Sequence, residues 1–194
     1  MTELSHWWPL HDQDALLSEL EAAYADPSRG YHDTRHLEEV FERLVELAPS
    51  TPFDREPVLL AAWFHDAVYD GQPGAEERSA QWAEAALAQH PQVAEVARLA
   101  EHHRPADADL NGCALSDADL GILAASPQRY EQYVASVRRE YAHVEEGDFA
   151  AGRAAILTDL LAKPTLFHTE HARAEWESVA RANVEAEISR LRRP

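Results

Sequence analysis

Between Glu56 and Tyr69 the chain reads EPVLLAAWFHDAVY, a stretch that is apolar on every side of a helix. Such a helix has no face to offer water, so it belongs in the middle of a bundle with other helices packed around it. The rest of the sequence supplies them. Ala, Leu, Glu and Arg dominate, β-branched residues are sparse and only seven glycines occur, a composition that predicts an all-α fold. Leu16, Leu17, Leu20 and Tyr24 form one apolar face over Asp14 to Ala25. Leu37, Val40, Phe41, Leu44, Val45 and Ala48 repeat at helical spacing from Thr34 to Ala48, where Pro49 stops the pattern. Further helices are predicted over Ala75 to Gln89, Pro91 to His103, Ser116 to Ala125, Pro127 to His143, Asp148 to Leu161 and Glu170 to Leu191. About nine helices joined by short loops, with no internal repeat and no linker, predict a helical bundle forming one domain over residues 1–194.

Charge narrows the partners. With 17 basic against 35 acidic side chains the formal charge is −18, a surface that repels phosphate backbones and anionic lipid. The expected partner is a small molecule, with no nucleic acid and no membrane, and the pattern specifies no oligomeric state. No window approaches the ~20 apolar residues of a membrane span. The start, MTELSHWWPLHDQ, lacks the basic and apolar regions of a secretory signal, and the single Cys113 can form no intramolecular disulfide, so the expected location is cytoplasmic. There is no Gly-rich phosphate loop, GxSxG elbow, HExxH or CxxC pair, which leaves nucleotide-triphosphatase, serine hydrolase, zincin and zinc-ribbon readings without support.

The chemistry sits in the apolar segment itself. His65-Asp66 places a carboxylate where burial costs several kcal/mol unless a cation or hydrogen bonds compensate. Neighbours on a helix lie ~100° apart, but near a helix end both can bend toward one ion in the groove between packed helices. Imidazole and carboxylate together suit a divalent metal: Mn, Fe, Ni, Co or Zn, or Mg where water completes the shell. Remaining ligands should come from other helices, and the chain offers His36, 29 residues before His65, and the acidic run SDADLGIL beginning at Ser116.

In this order, H then HD then a distant D, the chain resembles the HD superfamily of metal-dependent phosphohydrolases. YHDTRHLEEVF, AAWFHDAVYD, AEERSA, SDADLGIL and VRREYAHV all look like its small bacterial branch of predicted phosphohydrolases. The resemblance covers most of the chain and implies the HD-domain/phosphodiesterase-like bundle. It assigns the metal to His36, His65, Asp66 and Asp117. Asp117 is preferred over Asp119 because the family's DAD-type element uses its first Asp, and a helix starting at Ser116 would set Asp117 nearest the groove. YHDTRH is also similar to the YHNxxH of cyclic-nucleotide phosphodiesterases, with Asp33 in place of Asn, and there the position of His32 donates a proton to the leaving oxygen.

His32 and Glu77 are accordingly the candidate proton-transfer groups. His103 and His102 are candidates for a second metal or a phosphate oxygen, so the cofactor is one ion or two. Arg78, Arg139 and Lys163 are candidate phosphate-binding cations. The implied activity is hydrolysis of a phosphate ester of a nucleotide or another small phosphorylated metabolite by metal-activated water. The alternative is the same pocket serving a non-catalytic, metal-dependent ligand-binding or sensory module.

Overall fold

The computed structural model describes residues 3–101 and 105–193. These residues are all-helical, with ten α-helices, two short 3-10 segments and no strand among them. The helices are α1 (Asp14–Tyr24), α2 (Thr34–Leu47), α3 (Arg55–Phe64), α4 (Ala75–Ala86), α5 (Val93–Glu101), α6 (Leu110–Leu120), α7 (Pro127–Glu140), α8 (Glu146–Leu161), α9 (Glu170–Glu175) and α10 (Glu177–Leu191).

The all-apolar segment is central, as its composition demands. Pro57 through Phe64 of α3 are buried, with Val58, Leu60, Ala61, Ala62, Trp63 and Phe64 fully so. Helices α2 and α6 pack against α3 and against each other, while α4 and α5 pair as a hairpin on its other side. Trp63 lies against Phe41 of α2, and Trp8 meets its edge. Each such large apolar side chain contributes about 1.5–3 kcal/mol on burial.

Helix starts follow local chemistry. Asp33 caps α2 by accepting the amides of Arg35 and His36 at 3.0 and 3.2 Å. Asp and Asn serve equally well at such a cap, so Asp33 fits where the phosphodiesterase pattern has Asn. Ser126 caps α7 ahead of Pro127, and Thr169 caps α9.

Of the boundaries that differ from the sequence reading, three have a clear physical cause. α3 stops at Phe64 instead of reaching Tyr69, because Arg29 gathers the carbonyls beyond it: Nη1 donates to the Asp66 carbonyl and Nη2 to that of Ala67, both at 2.8 Å. α6 begins at Leu110, six residues before Ser116, because Asp109 caps it through the Gly112 amide at 2.9 Å. The last predicted helix is broken at Trp176, whose indole N–H donates to Glu46 on α2 at 2.9 Å.

Glycine is required at one contact that matters for the site. Gly30 packs on α7 so closely that a Cβ would stand 2.5 Å from the Ser136 carbonyl oxygen and 2.7 Å from the Glu140 Cβ. That close approach seats the loop leading into α2.

A candidate metal centre

His36 sits in the first turn of α2, His65 is the residue at which α3 ends, Asp66 follows in the turn, and Asp119 is in the last turn of α6. One ligand atom from each lies within 4.8 Å of the others. The His36 Nε2 is 3.2 Å from the His65 Nε2, 3.4 Å from an Asp66 oxygen and 3.3 Å from an Asp119 oxygen. His65 Nε2 and the same Asp66 oxygen are 3.2 Å apart. The end of α3 is what allows the adjacent pair to converge.

Both imidazoles are oriented from behind. The Nδ1 of His65 is 2.7 Å from the Ala62 carbonyl, which can only accept, so Nδ1 carries a proton and Nε2 is the nitrogen that faces the cluster. The Nδ1 of His36 is 3.0 Å from the Tyr31 hydroxyl. Partners of this kind fix ring orientation and raise ligand basicity at metal sites. Burial works against charge on His65, but the Asp66 carboxylate outweighs it and holds the pKa well above the ordinary value. Burial likewise raises the Asp119 carboxyl, while the His65 hydrogen bond and the charges of His65 and His36 bring it down to about 2. Two carboxylates and two imidazoles sharing one point form a donor set that a divalent cation neutralises, so the residues present fit the metal.

The structure brings Asp119, and not Asp117, to the cluster. Asp117 is fully buried but turned away from the cluster, its oxygens accepting the His168 amide at 2.8 and 3.1 Å and the Thr169 amide at 2.7 Å. The early start of α6 puts Asp117 in mid-helix, and two residues of α-helix rotate the direction by roughly 200°. Asp119 therefore faces the cluster while Asp117 holds the loop before α9.

His32 stands beside the centre. Its ring stacks on Tyr69 with centroids 4.0 Å apart and lies 5.5 Å from the His36 ring. Its Nδ1 is 2.7 Å from Glu140, whose other oxygen accepts the amides of Gly30, Tyr31 and His32 at 3.0, 2.8 and 3.2 Å. Burial disfavours a charged His32, yet Asp66 and Glu140 together raise its pKa. Burial also raises the Glu140 carboxyl, but the His32 hydrogen bond and charge, the Tyr31 amide and the Tyr69 hydroxyl hold it at about 2. The VRREYAHV stretch around Glu140 is among those that resemble the HD superfamily, but the resemblance gives this residue no role.

The pair makes stability depend on pH at both ends. Glu140 falls from an ordinary 4.5 to about 2, so its contribution is present above 4.5 and is lost as pH drops through 2. His32 is raised above 6.5, so its contribution is complete below that value and is lost as pH rises through the folded pKa. The stability difference between wild type and Glu140→Gln is expected to peak between about pH 4.5 and 6.5, at about 2 kcal/mol, and to shrink on either side. Urea titrations across pH 3–9 would measure it, and a flat difference would show that the pair does not form.

The other sequence candidates lie elsewhere. Glu77 is exposed, accepts from Gln81 at 3.2 Å and lines the groove between α4 and α5. Arg78 forks onto Asp70 at 2.6 and 2.7 Å, ordering the loop before α4. Arg139 donates to the Gly30 carbonyl and the Ser136 hydroxyl, and Lys163 is exposed just past α8. None of these four enters the cluster. His102 and His103 lie outside the described residues.

Two imidazole nitrogens and two carboxylates converging inside a helical bundle make a group that could hold a metal ion. The family model for the HD domain matches residues 34–121, a stretch that holds all four donors. That family is generally one of metal-dependent hydrolases. No curated protein and no solved structure matches the chain. Among the described residues no helix is long and apolar enough to cross a membrane.

Proposed function

We propose that this protein is a metal-dependent phosphohydrolase that cleaves a phosphate ester of a small metabolite. The observation that carries the reading is the four-donor cluster within 4.8 Å inside an HD domain. His36, His65, Asp66 and Asp119 would hold one divalent ion, with Mn, Fe, Ni, Co, Zn or Mg all compatible with the mixed donors. The ion supplies Lewis acidity, acidifying water and drawing charge from phosphoryl oxygens.

The chain's own groups supply the rest. Glu140 fixes His32 through Nδ1, and Tyr69 holds the ring flat, leaving Nε2 as the nitrogen able to pass a proton to the departing alkoxide. Tyr31 and the Ala62 carbonyl keep the ligand rings from rotating. The partner is a small phosphorylated molecule, since a chain of charge −18 repels nucleic acid and anionic membrane alike. We place the protein in the cytoplasm, where a lone buried thiol such as Cys113 stays reduced.

Elemental analysis of the purified protein, followed by phosphate release from a panel of phosphomonoesters with each metal, tests this. About one ion or more per chain is expected, with turnover that falls about 100-fold in His32→Ala while metal content is kept. Bound metal without turnover of any ester would favour a metal-dependent binding module instead. No metal under any loading would overturn both readings.

A further inference from the structure

Arg29 lies half-buried in the loop between α1 and α2, its guanidinium 4.9 Å from the centroid of the Tyr24 ring and 5.9 Å from that of Tyr69. The chain holds 35 acidic side chains that a surface arginine could pair with. The three hydrogen bonds of this guanidinium among the described residues all go to main-chain carbonyls instead. Two of these, on Asp66 and Ala67, close the turn after α3, as a basic side chain at a helix C-terminus ordinarily does. The third serves no helix end. The Nη1 that donates to the Asp66 carbonyl also donates to the His32 carbonyl at 2.8 Å, on a different segment of the chain.

One nitrogen therefore ties a donor of the metal cluster to the imidazole beside it. Each residue is held from its other side as well. The Tyr24 hydroxyl accepts the Asp66 amide at 3.3 Å, and Glu140 takes both the His32 amide and its Nδ1. A guanidinium suits the task because its five donors point in fixed directions within one plane, whereas an ammonium is a compact charge on a flexible stem. Proton transfer needs heavy atoms within about 2.6–3.2 Å, and a misplacement of about 1 Å costs a large part of the rate.

We propose, resting on the phosphohydrolase reading, that Arg29 is a positioning residue for proton transfer: by bridging the His32 and Asp66 carbonyls it fixes the imidazole at a set offset from the metal-binding turn. In the step it serves, the ester P–O bond breaks as water's oxygen bonds to phosphorus. The departing oxygen takes the proton of His32, and the proton that water loses restores it. No redox partner is needed.

The leaving group reads this role. An alkoxide needs a proton as it departs, while p-nitrophenolate leaves as a stable anion. At saturating metal, Arg29→Lys is expected to lower kcat on ethyl phosphate by about 30-fold and on p-nitrophenyl phosphate by less than about threefold, with KM nearly unchanged. Added to His32→Ala, it should cost ethyl phosphate nothing further. A second readout needs no ester: in nitrogen-15 spectra of the metal-free protein, the His32 Nδ1–H should exchange with water about tenfold faster in Arg29→Lys, and the His65 Nδ1–H should change less. Should Arg29→Lys fail to fold, Arg29→Gln takes its place in each comparison. Equal losses on the two esters, a full additional loss on top of His32→Ala, or an unchanged His32 signal would overturn the inference while turnover leaves the phosphohydrolase reading standing. No phosphate release from any ester by the metal-loaded wild type would overturn both.

Discussion

Asp119→Ala is expected to lose metal affinity by more than about 100-fold while Asp117→Ala keeps its ion and loses stability instead. The two aspartates are two residues apart on one helix, and the structure gives them opposite tasks. Asp119 offers an oxygen 3.3 Å from the His36 Nε2 and is about a quarter exposed, so removing it takes a donor from the cluster and little from the core. Asp117 has no exposed surface, and its carboxylate satisfies the amides of His168 and Thr169. Alanine there strands both buried N–H groups, a loss of about 3 kcal/mol that in a chain of this size lowers Tm by roughly 6–12 °C. Asp117→Asn retains an acceptor and should fall between. Metal content and melting temperature measured on the same preparations decide the matter. Loss of metal in Asp117→Ala together with retention in Asp119→Ala would reverse the assignment.

That reversal marks where the sequence was legible. His65-Asp66 stood out because a carboxylate in an all-apolar helix demands compensation, and His36 because it opens a strongly amphipathic helix. Both readings rest on local pattern. The choice between Asp117 and Asp119 depended on the phase of α6, hence on where that helix starts, and its start is set by Asp109, a cap hidden in a loop-like DADLNG run. A reading that took Asp109 as the cap would have turned Asp119 toward the groove. The end of α3 was not readable at all, since it depends on Arg29, which lies 37 residues from the Asp66 carbonyl that it holds. Glu140 is further still, 108 residues from His32, and looks like an ordinary acid at the end of α7. Glu77 drew attention because it follows the HD pair closely in sequence. The helix it rides on turns it toward α5.

Distance also explains how the helices after the HD stretch bear on a centre that they do not enter. The Tyr31 hydroxyl that orients His36 belongs to a ring packed against Tyr133 of α7, with centroids 4.6 Å apart. The Tyr133 hydroxyl accepts from Arg153 of α8 at 2.7 Å, and Arg153 in turn donates to Glu187 of α10 at 2.9 Å. Tyr130 donates to the same glutamate at 2.6 Å. Contacts thus run without a gap from α10 to the back of His36 in the candidate metal centre.

Arg153→Ala is expected to be the most damaging single change outside the centre. Glu187 is 2% exposed, and its charge in that setting is tolerated because Arg153 and Tyr130 supply donors to both oxygens. Removing one partner of a buried pair leaves an uncompensated charge and costs about 3–5 kcal/mol, or roughly 6–20 °C in Tm for a chain of this length. The same argument predicts rescue. Arg153→Met with Glu187→Gln removes both charges, fills most of the volume and leaves Tyr130 an acceptor, so the double variant should recover most of the loss. Metal affinity gives a separate readout, because Tyr133 released from Arg153 holds Tyr31 less firmly, and Arg153→Ala should bind the ion several-fold more weakly. A double variant as unstable as Arg153→Ala would mean that shape rather than buried charge sets the cost. Unchanged metal affinity in a folded Arg153→Ala would mean that the chain of contacts ends at Tyr133 and that Tyr31 is held by its own loop alone.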